Sequence, residues 1–151
     1  MHACEGWTNL VVEFHSAIKS RVDVLDRAVE QIMKLVRRLP CVTGDLDGVE
    51  LALTEALANA IVHGNQQDPN KNVQICGGCE RSGDLLLAIT DEGVGFDHNL
   101  IPDPTSGENL FSKHGRGLLL ISHLMDSTQF RLGGRQVIMR KRNQAPSNES
   151  T

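Results

Sequence analysis

The chain has 151 residues, room for one domain and little for a second. Its net charge is −4, which argues against a general binder of nucleic acid or anionic membrane, since both need an extended basic surface. Aromatic residues make up only 3%, so the core must be aliphatic, and a stacking platform for single-stranded nucleic acid is not expected.

No apolar run is long enough to span a membrane, and residues 1–10 lack the basic-then-apolar order of a signal peptide. A cytoplasmic location is therefore expected, and with it four reduced cysteines. One domain is expected over residues 8–142, with residues 1–7 and 143–151 as flexible termini.

Residues 8–15 alternate Leu10, Val12 and Phe14 with more polar neighbours and predict an opening strand. Ser20 with Asp23 resembles a capping box, and Val22, Leu25, Val29, Ile32, Val36 and Leu39 recur at helical spacing. They predict a helix over 22–39, stopped by Pro40. A second helix is expected over 46–63, with Asp47 and Glu50 as a cap pair and Gly64 as its stop. Residues 73–80 and 85–90 predict two strands joined at Gly83. A loop rich in Gly, Pro, Asp and Asn follows over 91–115, long enough for a lid. A helix over 116–125 and a hairpin of 129–132 with 136–140 around Gly133-Gly134 complete the chain. The order predicts an α+β fold: a two-layer sandwich with a mixed, mostly antiparallel sheet and helices on one face. The cluster Arg131, Arg135, Arg140, Lys141 and Arg142 reads as a solvated strand edge or a local basic patch.

Three segments carry chemistry. On the second predicted helix, Glu55 and Asn59 stand one turn apart and project side by side among Ala52, Ala56, Ala58 and Ala60. A carboxylate there can accept a proton, and an amide oxygen can ligate Mg2+. A surface hydrogen bond between the two is the more ordinary reading of that spacing alone. Asp91-Glu92-Gly93-Val94-Gly95-Phe96-Asp97 follows an apolar strand directly. Its aspartate can accept a hydrogen bond from the amino group of a base, and its glycines let backbone approach a flat ligand. Alone it is equally a strand-ending turn. Gly115-Arg116-Gly117-Leu118 opens a predicted helix, where free N–H groups and the helix dipole favour phosphate. Lys113 and Arg116 can add charge. The spacing fits neither a Walker loop nor a Rossmann turn.

Taken together and in this order, the segments resemble the three boxes of the Bergerat-fold ATPases. The stretch from Glu55 through Asn59 to His63-Gly64 is similar to the N box, Asp91 to Phe96 to the first glycine box, and Gly115 to Leu118 to the second. Thr54-Glu55-Ala56 and the DEGVGFD ending most resemble the stand-alone anti-sigma factor serine/threonine kinases, over about residues 10–140. The resemblance implies ATP and Mg2+ as cofactors. It implies Glu55 as general base, Asn59 as the Mg2+ ligand, and Asp91 with Gly93 and Gly95 around adenine. Lys113, Gly115, Arg116, Gly117 and Leu118 would meet the phosphates at the end of a lid over 97–114. It also implies transfer of a γ-phosphoryl group to a serine or threonine of an anti-sigma factor antagonist, binding of a sigma factor, and a homodimer. A nucleotide-gated switch without transfer and a detached histidine-kinase catalytic domain are the alternatives. Cys76-Gly-Gly-Cys79 has C-x-x-C spacing but reads as an incidental pair on a strand, without the four ligands of a zinc site.

Overall fold

The structure, a computed structural model, describes residues 10–42, 46–95 and 113–143. Strand β1 (Leu10–Lys19) opens it and runs four residues beyond the expected end. Its pleat turns Phe14, Ser16 and Ile18 inward and leaves Glu13, His15 and Ala17 exposed. Phe14 stands opposite Gly77 of the next strand, and its ring occupies the space a Cβ there would need.

Helix α1 (Leu25–Arg37) follows a 3-10 turn, Val22–Val24. Ser20 does not cap it. Its hydroxyl is buried, donates to the Lys71 carbonyl at 2.7 Å and accepts from Asn65 Nδ2 at 2.7 Å. A polar group carried into the interior at a strand end must be satisfied there, so it is not available to the helix. Helix α2 (Asp47–Asn59) likewise starts after Leu46, with no side-chain cap, and Asp47 and Glu50 instead lie in its first turn, where the dipole favours acids. Beyond Asn59 the helix widens: the Asn65 N–H bonds the Ala60 carbonyl five residues back, at 2.8 Å, so Ala60–Gly64 forms a looser final turn.

Strands β2 (Asn72–Glu80) and β3 (Leu85–Thr90) form the expected hairpin, with Gly83 at φ 94° in the turn. Helix α3 (Lys113–Leu124) begins three residues earlier than predicted. Strands β4 (Ser127–Arg131) and β5 (Gln136–Lys141) close the chain through a turn in which Leu132, Gly133 and Gly134 all have positive φ. The sheet order is β1-β2-β3-β5-β4, and every described pairing is antiparallel.

The two-layer α+β arrangement is thus the one the sequence predicts. Ile75, Leu87, Ile89 and Met139 face the helices and pack against Ile32, Leu53, Leu57 and Ile121, all almost fully buried. Each such side chain contributes on the order of 1.5–3 kcal/mol by leaving water. The basic residues near the C-terminus are used structurally: Arg140 pairs with Glu80 at 2.6 Å, and Lys141 donates to the Leu124 carbonyl at 3.0 Å.

The cysteines depart from expectation. Cys41, after α1, and Cys79, on β2, form a disulfide with Cα atoms 5.8 Å apart and a sequence separation of 38, and no described cysteine is free. Cys76 and Cys79 cannot pair within the strand, because an offset of three puts them on opposite faces. The expectation of reduced thiols fails because the chain folds Cys41 onto the inner face of β2, where Cys79 is waiting. The two expected tails lie outside the described residues, apart from Asn143. No described helix is long and apolar enough to cross a membrane.

Candidate functional site

Three chain segments meet at one end of the sheet: the end of α2, the turn after β3 and the first turns of α3. Between them lies a cavity of about 230 Å3. Asn59, Asp91, Gly95 and Leu118 line it, together with Ile89 and Ile121. The acid-and-amide helix, the strand-end aspartate and the second glycine segment therefore share one cleft, although they are distant in sequence.

Glycines make the approach possible. A Cβ on Gly64 would collide with the carboxylate of Asp91, and one on Gly93 would collide with the Gly64 carbonyl. The loose last turn of α2 and the Asp91-Glu92-Gly93 turn are thus in backbone contact, which any larger residue would separate. Gly95, at φ 80°, lies equally close to the Gly133 carbonyl and ties the same turn to the β4–β5 connection. Gly64 is therefore more than the helix stop read from sequence.

Asp91 is held from several sides. Its N–H donates to the Arg135 carbonyl at 2.9 Å, and its Oδ1 accepts the Gly93 N–H at 2.8 Å. Burial raises its pKa above the ordinary carboxylate value. The Gly93 N–H and the positive charges of Arg135 and Lys71 partly offset that rise. A carboxylate in an apolar cleft with one oxygen already bonded is a good acceptor for a ligand N–H.

Glu55 and Asn59 lie on the face of α2 that meets α3. A Cβ on Gly117 would stand 3.1 Å from Asn59 Nδ2 and 3.3 Å from Glu55 Oε2, so both polar groups border the second glycine segment. The Asn59 Nδ2 atom is buried and has no hydrogen-bond partner among the described residues. A buried amide end left unpaired is costly and marks a place where a polar ligand or ion belongs. Since a half-turn exchanges its nitrogen and oxygen ends, the residue fits a hard cation. Among the described residues no three His, Cys, Asp or Glu side chains gather as a metal cage.

The helix starts earlier than the sequence predicts. Gly115, expected just before a helix over 116–125, lies with Gly117 inside the first turns of α3, which begins at Lys113. Gly117 is buried against α2, and that packing outweighs its weak helical propensity. The side chains of Lys113 and Arg116, and most of the lid expected over 97–114, lie outside the described residues.

Several cleft residues were not singled out for this role from sequence. Phe130, Gly134, Arg135 and Val137 line it from the β4–β5 hairpin. The two consecutive glycines and Arg135 are a signal, but only the sheet order β3-β5-β4 brings that hairpin beside Asp91.

Comparison with known proteins agrees with this geometry. Residues 18–141 match the family model described as the histidine kinase-like ATPase domain. An anti-sigma F factor of Geobacillus stearothermophilus is 31% identical over 121 residues, covering 76% of this chain and 79% of the relative. One from Clostridium acetobutylicum is 31% identical over 106 residues, covering 65% and 71%. A crystal structure of the RsbU and RsbW domains of a Mycobacterium tuberculosis protein superposes with a TM-score of 0.61 at 14% identity, and shares the fold. The match covers 91% of this chain and only 34% of that longer one. The chain belongs to the histidine kinase-like ATPase domain family, among relatives of the anti-sigma F factors.

Proposed function

We propose that this protein binds Mg2+–ATP and acts as a serine/threonine kinase of the anti-sigma factor type. Its targets would be an antagonist protein, which it phosphorylates, and a sigma factor, which it sequesters. The observation that carries this reading is the single cleft shared by Asn59 and Asp91, with Gly117 beside both Asn59 and Glu55.

In this reading Asp91 accepts the hydrogen bond of the adenine amino group, and Gly93 and Gly95 shape the base pocket. Ile89, Leu118 and Ile121 give the base an apolar wall. Asn59 holds Mg2+, which neutralises phosphate charge. Glu55 accepts the proton of the attacking hydroxyl. By the resemblance, Lys113, Gly115, Arg116 and Gly117 would supply the contacts to the phosphates. Phosphoryl transfer needs little more than such positioning and charge neutralisation. The partners follow from what the relatives are called, anti-sigma F factors. A homodimer, a cytoplasmic setting and no direct contact with nucleic acid complete the proposal.

The test is incubation with γ-labelled ATP, Mg2+ and a candidate antagonist. Label on a serine or threonine of the antagonist is the expected result. Tight ATP binding without transfer would replace the kinase by a nucleotide-gated switch, and label on histidine by a histidine-kinase catalytic domain.

A further inference from the structure

Asn65 sits at the junction of four segments and is fully buried. Its Oδ1 accepts the backbone N–H of Glu92 at 2.7 Å. Its Nδ2 donates to Ser20 Oγ at 2.7 Å and to the Asn72 carbonyl at 3.0 Å. Its own N–H bonds the Ala60 carbonyl at 2.8 Å, closing the loose turn of α2. One carboxamide thus joins the ends of β1 and α2, the start of β2 and the turn after β3. Both its hydrogens and its oxygen are used, which an aspartate, a leucine or an alanine cannot reproduce.

We propose that Asn65 is a positioning residue for base recognition: it fixes the Asp91 carboxylate by holding the next peptide, Glu92 N–H, against the end of α2. The inference rests on the assignment of Asp91 to the base. Two observations support it. The Glu92 N–H is one bond pair along the chain from the Asp91 Cα, so a shift there moves the carboxylate directly. A second strut closes the same tie from the surface: the Asn72 N–H donates to Glu92 Oε2 at 2.5 Å. With Gly64 and Gly93 in backbone contact, the turn has one seat, and Asn65 locks it in that seat. Ser20, at the other end of the amide, contributes to the same buried network without touching the turn.

Discrimination between ATP and inosine triphosphate tests this, because inosine carries an oxygen where adenine carries its amino group. Dissociation constants are measured by calorimetry for the wild type, Asn65→Ala and Ser20→Ala, at a temperature where circular dichroism shows each folded. The wild type is expected to prefer ATP, and Asn65→Ala to lose roughly tenfold of that preference, the equivalent of one good hydrogen bond. Ser20→Ala is expected to melt at a lower temperature yet keep the preference. If Asn65→Ala does not fold, Glu92→Ala cuts the outer strut and is expected to lose a smaller, several-fold part. A variant of the tie that keeps the full wild-type preference overturns the inference and leaves the assignment of Asp91 standing. A wild type that binds both nucleotides alike removes the assignment of Asp91 itself.

Discussion

Gly64 and Asp91 touch across the cleft: the side of the Gly64 Cα that would bear a Cβ is occupied by the Asp91 carboxylate. Gly64→Ala must therefore push either the last turn of α2 or the Asp91 turn aside, and Gly93 leaves no slack, because it meets the Gly64 carbonyl. A methyl forced into such a contact costs about 1–3 kcal/mol of stability. The displaced carboxylate should cost ATP affinity as well, roughly tenfold or more. Thermal unfolding and calorimetry check the two effects. A variant with wild-type affinity would show that the carboxylate has room to move without consequence.

Asp91 also predicts a pH dependence. Burial raises its pKa in the folded state, against the pull of the Gly93 N–H, Arg135 and Lys71. An acid that binds its proton more tightly when folded gives its full stabilisation below the unfolded value, about 3.9, and loses it as pH rises through the folded pKa. Without nucleotide, Asp91→Asn should therefore gain stability relative to the wild type as pH rises through that window. Affinity for ATP should behave oppositely in the wild type, weakening as pH falls through the folded pKa, because the acceptor becomes protonated. Urea melts and calorimetry across about pH 4 to 8 decide it. Parallel stability profiles for the two proteins would mean that Asp91 titrates as an ordinary surface carboxyl.

The Glu55–Asn59 pair separates binding from transfer. Asn59→Ala removes the proposed metal ligand and an amide end that has no hydrogen-bond partner among the described residues, so the fold should survive while Mg2+-dependent nucleotide binding is lost. Glu55→Gln keeps the shape and removes the proposed base. It should bind ATP normally and transfer about 10²–10⁴-fold more slowly. Calorimetry with and without Mg2+ reads the first, and single-turnover labelling of the antagonist the second. Normal transfer by Glu55→Gln would take the base role from Glu55.

The site was legible in the sequence to the extent that its chemistry is local. Glu55 and Asn59 share a helix face, Asp91 ends an apolar strand and the glycines stand out by type; each alone has an ordinary reading, and only the three segments in order point to one cleft. The α+β class came from periodicity for the same reason. What stayed hidden depends on long-range pairing. Ser20 looked like a cap because Asp23 lies three residues on, yet its partners are Lys71 and Asn65. Asn65 itself follows Gly64 like any loop residue, and its bonds to residues 20, 72 and 92 leave no local pattern. The start of α3 was misplaced because glycine's helical propensity is weak and the packing of Gly117 on α2 is invisible in one dimension. Arg135 reached the cleft only through strand order.

The Cys41–Cys79 disulfide lies at the opposite end of the sheet from the nucleotide cleft. Cys79 pairs across the strands with Leu85, whereas the cleft begins at Ile89 and Asp91, roughly 13–20 Å further along β3. The bond closes a loop spanning a separation of 38 residues, from after α1 through all of α2 into β2. Restricting an unfolded loop of that length is worth about 3–4 kcal/mol by chain entropy. The oxidised protein should therefore be more stable than Cys41→Ala/Cys79→Ala by about that amount, plus what the lost packing adds to the difference. Wild type and the double variant, both kept oxidised, isolate the bond, since reductant would also open the disulfide of Cys76. ATP affinity should be the same in both forms, because neither cysteine borders the cavity. Equal denaturation midpoints for the oxidised wild type and the double variant would show that the bond does not contribute, and a change in affinity would show that the two ends of the sheet are coupled.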